Sequence, residues 1–291
     1  MSASKVAFNI TGYAFVILIA LFCLLPFVML VSASFSTEKA ISLQGFGILP
    51  REFTTEAYEL LFKYPQTILR AYGVSIFITV VGTILGLLIT AMTGFVLSRS
   101  DFKYRNRFSF YFYFTTLFNG GMVSTYIFVI RYLHLKENLL AIILPLMLNV
   151  FYLLIMRSFI QAIPMSLVES AKIDGAGDFK IFCSIILPLS KAGLATIGLF
   201  IALGYWNDWY HAMLFISERE KWPLQYMLYD MLNTAQAMAN LSTQANISLA
   251  DVPSQSLRMA MAVVATGPAL LLYPFVQKYF VKGVTVGAVK G

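Results

Sequence analysis

Long apolar stretches without a single Asp, Glu, Lys or Arg alternate along this chain with short stretches that gather the charges. The charge-free intervals are 6–37, 71–98, 108–130, 138–156, 192–207 and 259–277. A helix needs about 20 predominantly apolar residues to cross a hydrocarbon core of roughly 30 Å. The fifth interval is short, but beyond Asp208 the apolar and aromatic pattern resumes at Trp209 and runs to Phe215. The pattern predicts an all-α polytopic membrane protein with six transmembrane helices, at about 9–34, 71–98, 108–130, 138–160, 192–215 and 257–280. Residues 1–291 then form a single transmembrane domain. The first interval is too long for a signal-peptide core and lacks a small-residue cleavage site, so it reads as a retained span. Two connections are unusually long, 161–190 and 217–256.

Charge orients the spans. The N-terminus, 99–107, 157–191 and the tail together carry 12 of the 21 basic residues but only four of the 14 acids. The positive-inside rule puts this set, and both termini, in the cytoplasm and 217–256 outside. Composition agrees: 59% of the 291 residues are hydrophobic and 12% charged, about half the roughly 25% of a soluble domain. That excludes a soluble enzyme, a disordered chain and a fibrous repeat. The net charge of +7 would suggest nucleic acid in a soluble protein; here it follows topology, so the expected surroundings are membrane lipid and no nucleic acid. Cys23 and Cys183 fit no disulfide framework or metal spacing and read as small buried residues. His134 and His211 have no matching cluster, so neither a metal site nor a catalytic residue is predicted. No Gly-x-x-x-x-Gly-Lys-Ser/Thr phosphate loop occurs, so ATP hydrolysis by that mechanism is excluded for this chain. Few ionisable groups fall within the spans, which weakens a proton-coupled carrier. Gly82-x-x-x-Gly86 reads as ordinary close helix packing, and Gly120–Gly121 as a loose point near the outer end of the third span.

The connection 161–190 holds the most specific pattern. Ser166 and Glu169 have capping-box spacing with Pro164 upstream. Asp174-Gly175 then breaks the helix, because Gly takes the left-handed conformation of a tight turn. A second stretch from Phe179 to Leu187 is expected to present Phe179, Phe182 and Ile186 on one face, with Pro188 as punctuation. Two helices and a sharp turn exceed what joining two spans requires and suggest a docking surface for a cytoplasmic partner. Glu169-Ser170-Ala171, Asp174-Gly175-Ala176, Ile185 and Leu187-Pro188 resemble the EAA loop of ABC importer permeases, with Ser170 where that family usually has Ala. The ending Gly287-Ala288-Val289-Lys290-Gly291 resembles that of maltose-type carbohydrate permeases. Trp206-Asn207-Asp208-Trp209 is similar to the tryptophan-Asn-acid signature of the same group. The resemblance covers essentially the whole chain and is closest to the oligosaccharide and complex-saccharide branch.

That resemblance implies a type I ABC importer permease fold in a bacterial cell membrane. It implies a homologous second permease, two cytoplasmic ABC ATPase subunits that bind ATP and Mg, and an external sugar-binding protein. The chain itself would hold no cofactor. Glu169, Ser170, Ala171, Asp174, Gly175 and Ala176 become the ATPase-coupling residues. Saccharide sites combine aromatic faces with polar side chains, which nominates Asn149, Tyr152, Tyr205, Trp206, Asp208, Trp209 and Tyr210 for the substrate path. The same aromatics near a span's end also suit an interfacial belt. The outer connection 217–256 fits either a probe of the docked binding protein or a solvated loop. Alternatives are import of another polyol or a glycerol-phosphate-like solute, or an ion-coupled secondary carrier. A phosphate substrate would call for basic groups along the path, which the spans do not offer.

Overall fold

A computed structural model describes residues 3–63, 65–118, 120–245 and 255–268, which fall into two compact units. The first holds residues 3–68, 228–245 and 255–268. It opens with α1 (Ala3–Ser34), whose apolar part, Phe8–Ser34, is long enough to cross a membrane without interruption. None of its most apolar window is buried within the chain, which leaves lipid or another protein to cover it. Beyond it, Thr37 accepts the Ala40 N–H at 3.3 Å and starts α2 (Glu38–Gln44). Phe35 packs on Phe53 at 5.5 Å and on Tyr58 of α3 (Glu56–Leu61) at 4.8 Å. Glu38 accepts from the main-chain N–H of Gln255 (2.8 Å) and Ser256 (3.1 Å), capping the helical stretch 255–268. At seven and six residues, α2 and α3 are too short to cross a membrane.

The second unit, described over 69–227, is built around α4 (Pro65–Ser98), the other uninterrupted apolar helix. Then come α5 (Arg105–Leu117), α6 (Gly121–Ile127) with a π-helical continuation Phe128–Tyr132, α7 (Leu140–Leu146) and α8 (Val150–Gln161). They are followed by α9 (Met165–Ile173), α10 (Asp178–Ile181), a π-helical stretch Phe182–Ile186, and α11 (Leu187–Leu189). The unit continues through α12 (Lys191–Trp206) and α13 (Tyr210–Phe215) to the start of α14 (Leu224–Ala245). Its core joins Ile78 and Ala91 of α4 with Ile142, Ile143, Met156, Ile197, Ile201 and Phe215. The predicted close packing at Gly82-x-x-x-Gly86 is present. A Cβ on Gly82 would collide with the Tyr205 ring, and one on Gly86 would lie 3.0 Å from the Met147 carbonyl oxygen.

Three predicted spans are not continuous helices. The third is divided into α5 and α6 next to Gly120–Gly121. The fourth bends by 54° between α7 and α8. Pro145 removes a main-chain donor from α7, and Asn149 takes an extended conformation and restarts the helix, accepting from Phe151 N–H at 2.9 Å. The fifth ends at Trp206 and resumes as α13, and it meets the preceding α10–α11 segment at 84°. Composition registers the apolar character of such segments but not the caps that divide them. With each bent pair counted once, up to five spans stand among the described residues. The predicted sixth is helical over its described part and otherwise, like the tail, lies outside the described residues. The connection 217–256, read as a polar loop, contains the 22-residue α14. Cys23 and Cys183 are exposed within the chain rather than buried. Among the described residues there is no strand, only a single antiparallel bridge between Ser36 and Phe53.

Candidate functional site

The connection between α8 and α12 folds as a helix, a glycine turn and a second helix. α9 begins at Met165, directly after Pro164, with no side-chain cap. Ser166 therefore lies inside the first turn, and the capping box expected from Ser166 and Glu169 is not formed. Met165, Val168 and Ala171 face the core, while Glu169, Ser170 and Ile173 face outward, Ile173 at 86% exposure. The helix stops at Asp174, and Gly175 adopts φ +78°. Gly175 N–H bonds Lys172 O at 3.0 Å and Ala176 N–H bonds Ala171 O at 2.9 Å. This paired pattern is a Schellman termination, in which the left-handed position favours Gly and a small apolar contact closes the turn. It assigns distinct physical roles to Asp174 (last cap), Gly175 (the left-handed residue) and Ala171 with Ala176 (the closing contact).

Past Gly177, α10 buries Ile181, and the π-helical stretch buries Phe182 and Ile186. Phe179 does not share that face; it is 70% exposed. Ile181, rather than Phe179, shares the inward face with Phe182 and Ile186. The turn thus offers Glu169, Ile173 and Phe179 on its outer side above a packed base. Ile173 and Phe179 belong to this surface although the sequence motif does not include them; an apolar residue on each flank of a solvent-facing turn is the signal.

A second feature of the turn was visible in the sequence only as scattered charges. Arg99, just beyond α4, donates from Nε and Nη2 to the two carboxylate oxygens of Asp101 at 2.8 and 2.6 Å. Its Nη1 pairs with Asp178 at the start of α10. Lys172 on α9 donates to Asp101 at 2.8 Å. The Arg99 guanidinium lies 5.8 Å from the Phe95 ring centroid, and Phe95 packs on Phe182 at 5.8 Å. The Arg99 bonds, and then that of Lys172, hold the Asp101 carboxyl well below the usual carboxylate range. Asp101 and Asp178 in turn raise the Arg99 guanidinium above its ordinary value.

The path candidates lie elsewhere, at the breaks within the spans. Tyr205 is buried on Gly82, and its hydroxyl donates to Ile143 O at 2.8 Å, so its polar end is committed to main chain. Trp206 is also buried, 6.3 Å from Tyr72. After α12 ends, Asp208 turns inward with its side chain 8% exposed and pairs through Oδ1 with His211 Nδ1 at 2.9 Å. Asp208 Oδ2 accepts from no group among the described residues. His211 belongs to no histidine cluster, but its i,i+3 spacing from Asp208 is the sequence signal of this pair. Trp209 is partly exposed and meets Tyr210 edge-on at 6.1 Å. At the other break, Asn149 is exposed and acts as the cap of α8, while Tyr152 stacks on Phe200 at 5.9 Å. Non-helical backbone at membrane depth is tolerated only where protein covers it or where it lines a water-filled cavity.

Comparison with known proteins places the chain as a whole. Residues 82–286 match the family described as binding-protein-dependent transport system inner membrane component. The chain is 40% identical over 284 residues to the polygalacturonan/rhamnogalacturonan transport system permease protein YtcP of Bacillus subtilis, with 98% of each chain covered. It is 44% identical over 269 residues to protein LplC of the same organism, covering 92% of this chain and 90% of that one. It also matches a solved structure of a bacterial ABC transporter involved in the import of the acidic polysaccharide alginate. That match has a TM-score of 0.79 and 30% identity, over 96% of this chain and 99% of the other.

Proposed function

We propose that this chain, which belongs to the family of binding-protein-dependent transport system inner membrane components, is one permease subunit of an ABC importer that carries an oligosaccharide into a bacterial cell. It is a multi-pass membrane protein, mostly helical, with a fold like that of type I ABC permeases. In this reading six spans leave both termini in the cytoplasm. The transport role is that of a conduit: two copies of a separate ATPase bind ATP and Mg, and an external sugar-binding protein delivers the substrate. A homologous second permease completes the path, and the uncovered apolar face of α1 suits it as well as lipid.

The observation that carries this reading is the Gly175 turn with its outward Glu169, Ile173 and Phe179. An exposed apolar tip with one acid, on a rigid packed base, suits insertion into a cleft of a cytoplasmic partner. Glu169 and Ser170 would touch the ATPase, while Ala171, Asp174, Gly175 and Ala176 hold the shape that presents them. A conformational change is driven only by contacts that differ between two states, so the turn must be gripped differently before and after ATP binding. The substrate path would run past Asn149, Tyr152, Trp206, Asp208, Trp209 and Tyr210, with Tyr205 holding that wall in place. The names of the relatives, which specify polygalacturonan, rhamnogalacturonan and alginate, favour a saccharide cargo.

The test uses the reconstituted complex. Gly175→Pro forbids φ +78°, since Pro fixes φ near −65°. It should leave insertion and pairing with the second permease intact, while the ATPase no longer co-purifies and uptake is lost. Retention of the ATPase at the wild-type ratio would overturn the coupling role. With the unmodified chain, binding-protein-stimulated ATP hydrolysis across neutral and acidic oligosaccharides should respond to at least one saccharide. Stimulation by a polyol or glycerol phosphate alone would overturn the cargo.

A further inference from the structure

The ion cluster at the cytoplasmic base of the turn has a role beyond the motif residues. We infer that Arg99, through its simultaneous bonds to Asp101 and Asp178, is a positioning residue that fixes the Gly175 turn to the end of α4, so that force applied to the turn moves that span. This rests on the proposal that the turn docks the ATPase. The geometry supplies the reason. α9 and α10 are short, of nine and four residues, and helices of such length are marginal alone. Their apolar sides rest on the core, but apolar contact is non-directional and does not fix the angle at which a tip projects.

The charged groups provide that direction. Arg99 is 15% exposed and presents a planar fork to two carboxylates, one on its own loop and one at the start of α10. Lys172, on the opposite side of the turn, reaches the same Asp101. The helix before Gly175 and the helix after it are thus tied to one short loop that continues directly from α4. The Arg99 guanidinium over the Phe95 ring and the Phe95–Phe182 contact add an aromatic support beneath it. Bidentate Arg–carboxylate pairs add geometric specificity as well as energy, and Lys cannot reproduce the fork.

The experiment compares Arg99→Gln, Arg99→Lys, Asp178→Asn, the double variant Arg99→Gln/Asp178→Asn, and Gly175→Pro. All are made in the full complex in proteoliposomes, and the readout is substrate transported per ATP hydrolysed. Arg99→Gln and Asp178→Asn should each lower this ratio about threefold, as expected for a partly shielded pair, with the double variant no worse than the weaker single one. Arg99→Lys should fall between Gln and the wild type. A merely structural role would lower the amount of protein in the membrane without moving the ratio. An unchanged ratio in Arg99→Gln, with Gly175→Pro still releasing the ATPase, would overturn the positioning role and leave the coupling role standing. Retention of the ATPase by Gly175→Pro would overturn both. Additive losses in the double variant would show that the two groups act separately, which also refutes the inference. If Arg99→Gln fails to insert, Asp178→Asn and Arg99→Lys decide by the same ratio.

Discussion

The turn at Gly175 and the break after Trp206 are both places where an apolar helix stops, yet they are held in opposite ways. At Gly175 the backbone satisfies itself through two hydrogen bonds, the side chains point outward, and the anchoring charges are partly open to solvent. At the break Tyr205, Trp206 and Asp208 point inward. Tyr205 fills the space left by Gly82, its hydroxyl bonds Ile143 O, and Asp208 is buried against His211. Changes at the outward residues of the first should leave assembly intact, because Glu169, Ile173 and Phe179 lie outside its packed base. Changes at the second should not, because removing or adding one group there disturbs several helices at once. One unit thus has an end whose outward groups are open to solvent on an anchored base and a rigid, closely packed interior.

The comparison breaks most visibly at Gly82. Gly82→Leu would drive a side chain into the Tyr205 ring, and overpacking of a full core costs about 1–3 kcal/mol or more. The expected result is strongly reduced protein in the membrane and a lowered melting temperature in detergent. Tyr205→Ala in the same chain should recover part of the loss by removing the colliding ring. If Gly82→Leu assembles normally, this interior is not the rigid partner claimed.

A smaller effect is expected at Glu169. Because α9 starts before Ser166 and has no side-chain cap, neither Glu169→Ala nor Glu169→Gln deletes a capping bond, and both should leave the stability of the permease within about 0.5 kcal/mol of the wild type. Both should weaken ATPase association alike, since each removes the same outward charge. Full association in Gln with loss in Ala would instead assign Glu169 a neutral hydrogen bond at the interface. Association assays with purified ATPase separate these outcomes.

What could be read from the sequence follows the same division. Uninterrupted α1 and α4 were plain from their charge-free length, the Gly82 contact from small-residue spacing, and the Gly175 turn from Asp-Gly between two amphipathic stretches. Each is a local signal. The divisions at Asn149 and Asn207 were missed because a single capping side chain outweighs an apolar run that hydropathy reads as unbroken. The helix α14 was missed because its polar composition resembles a loop. Arg99, Asp101, Lys172 and Asp178 lie up to 79 positions apart in sequence, so only the fold could assemble them. The capping box fails for the converse reason: the spacing is correct but the helix begins two residues too early to use it.

The smallest expected effect concerns pH, and it sharpens the description of the turn's anchor as electrostatic. Asp101 is held below the usual carboxylate range by Arg99 and then Lys172. A depressed carboxylate contributes stability that is fully present above its unfolded pKa, about 3.9, and is lost as pH falls through the folded value. From pH 5.5 to 8 the anchor should therefore be insensitive to pH, and the difference in melting temperature between the wild type and Arg99→Gln should stay constant. Below about pH 4 the two should begin to converge, because the unfolded chain's Asp101 takes up a proton that the folded carboxyl, held low by Arg99, still resists. Salt should act where pH does not: screening lengths fall from about 10 Å at 0.1 M to about 3 Å at 1 M. Asp101 and Lys172 are both partly exposed, so the difference should shrink at high salt. Thermal unfolding of the purified permease in detergent, scanned over both variables, measures this directly. A difference that changes between pH 6 and 8 would mean that a group other than Asp101 controls the anchor, and one indifferent to salt would mean that the apolar Phe95–Phe182 contact holds the turn.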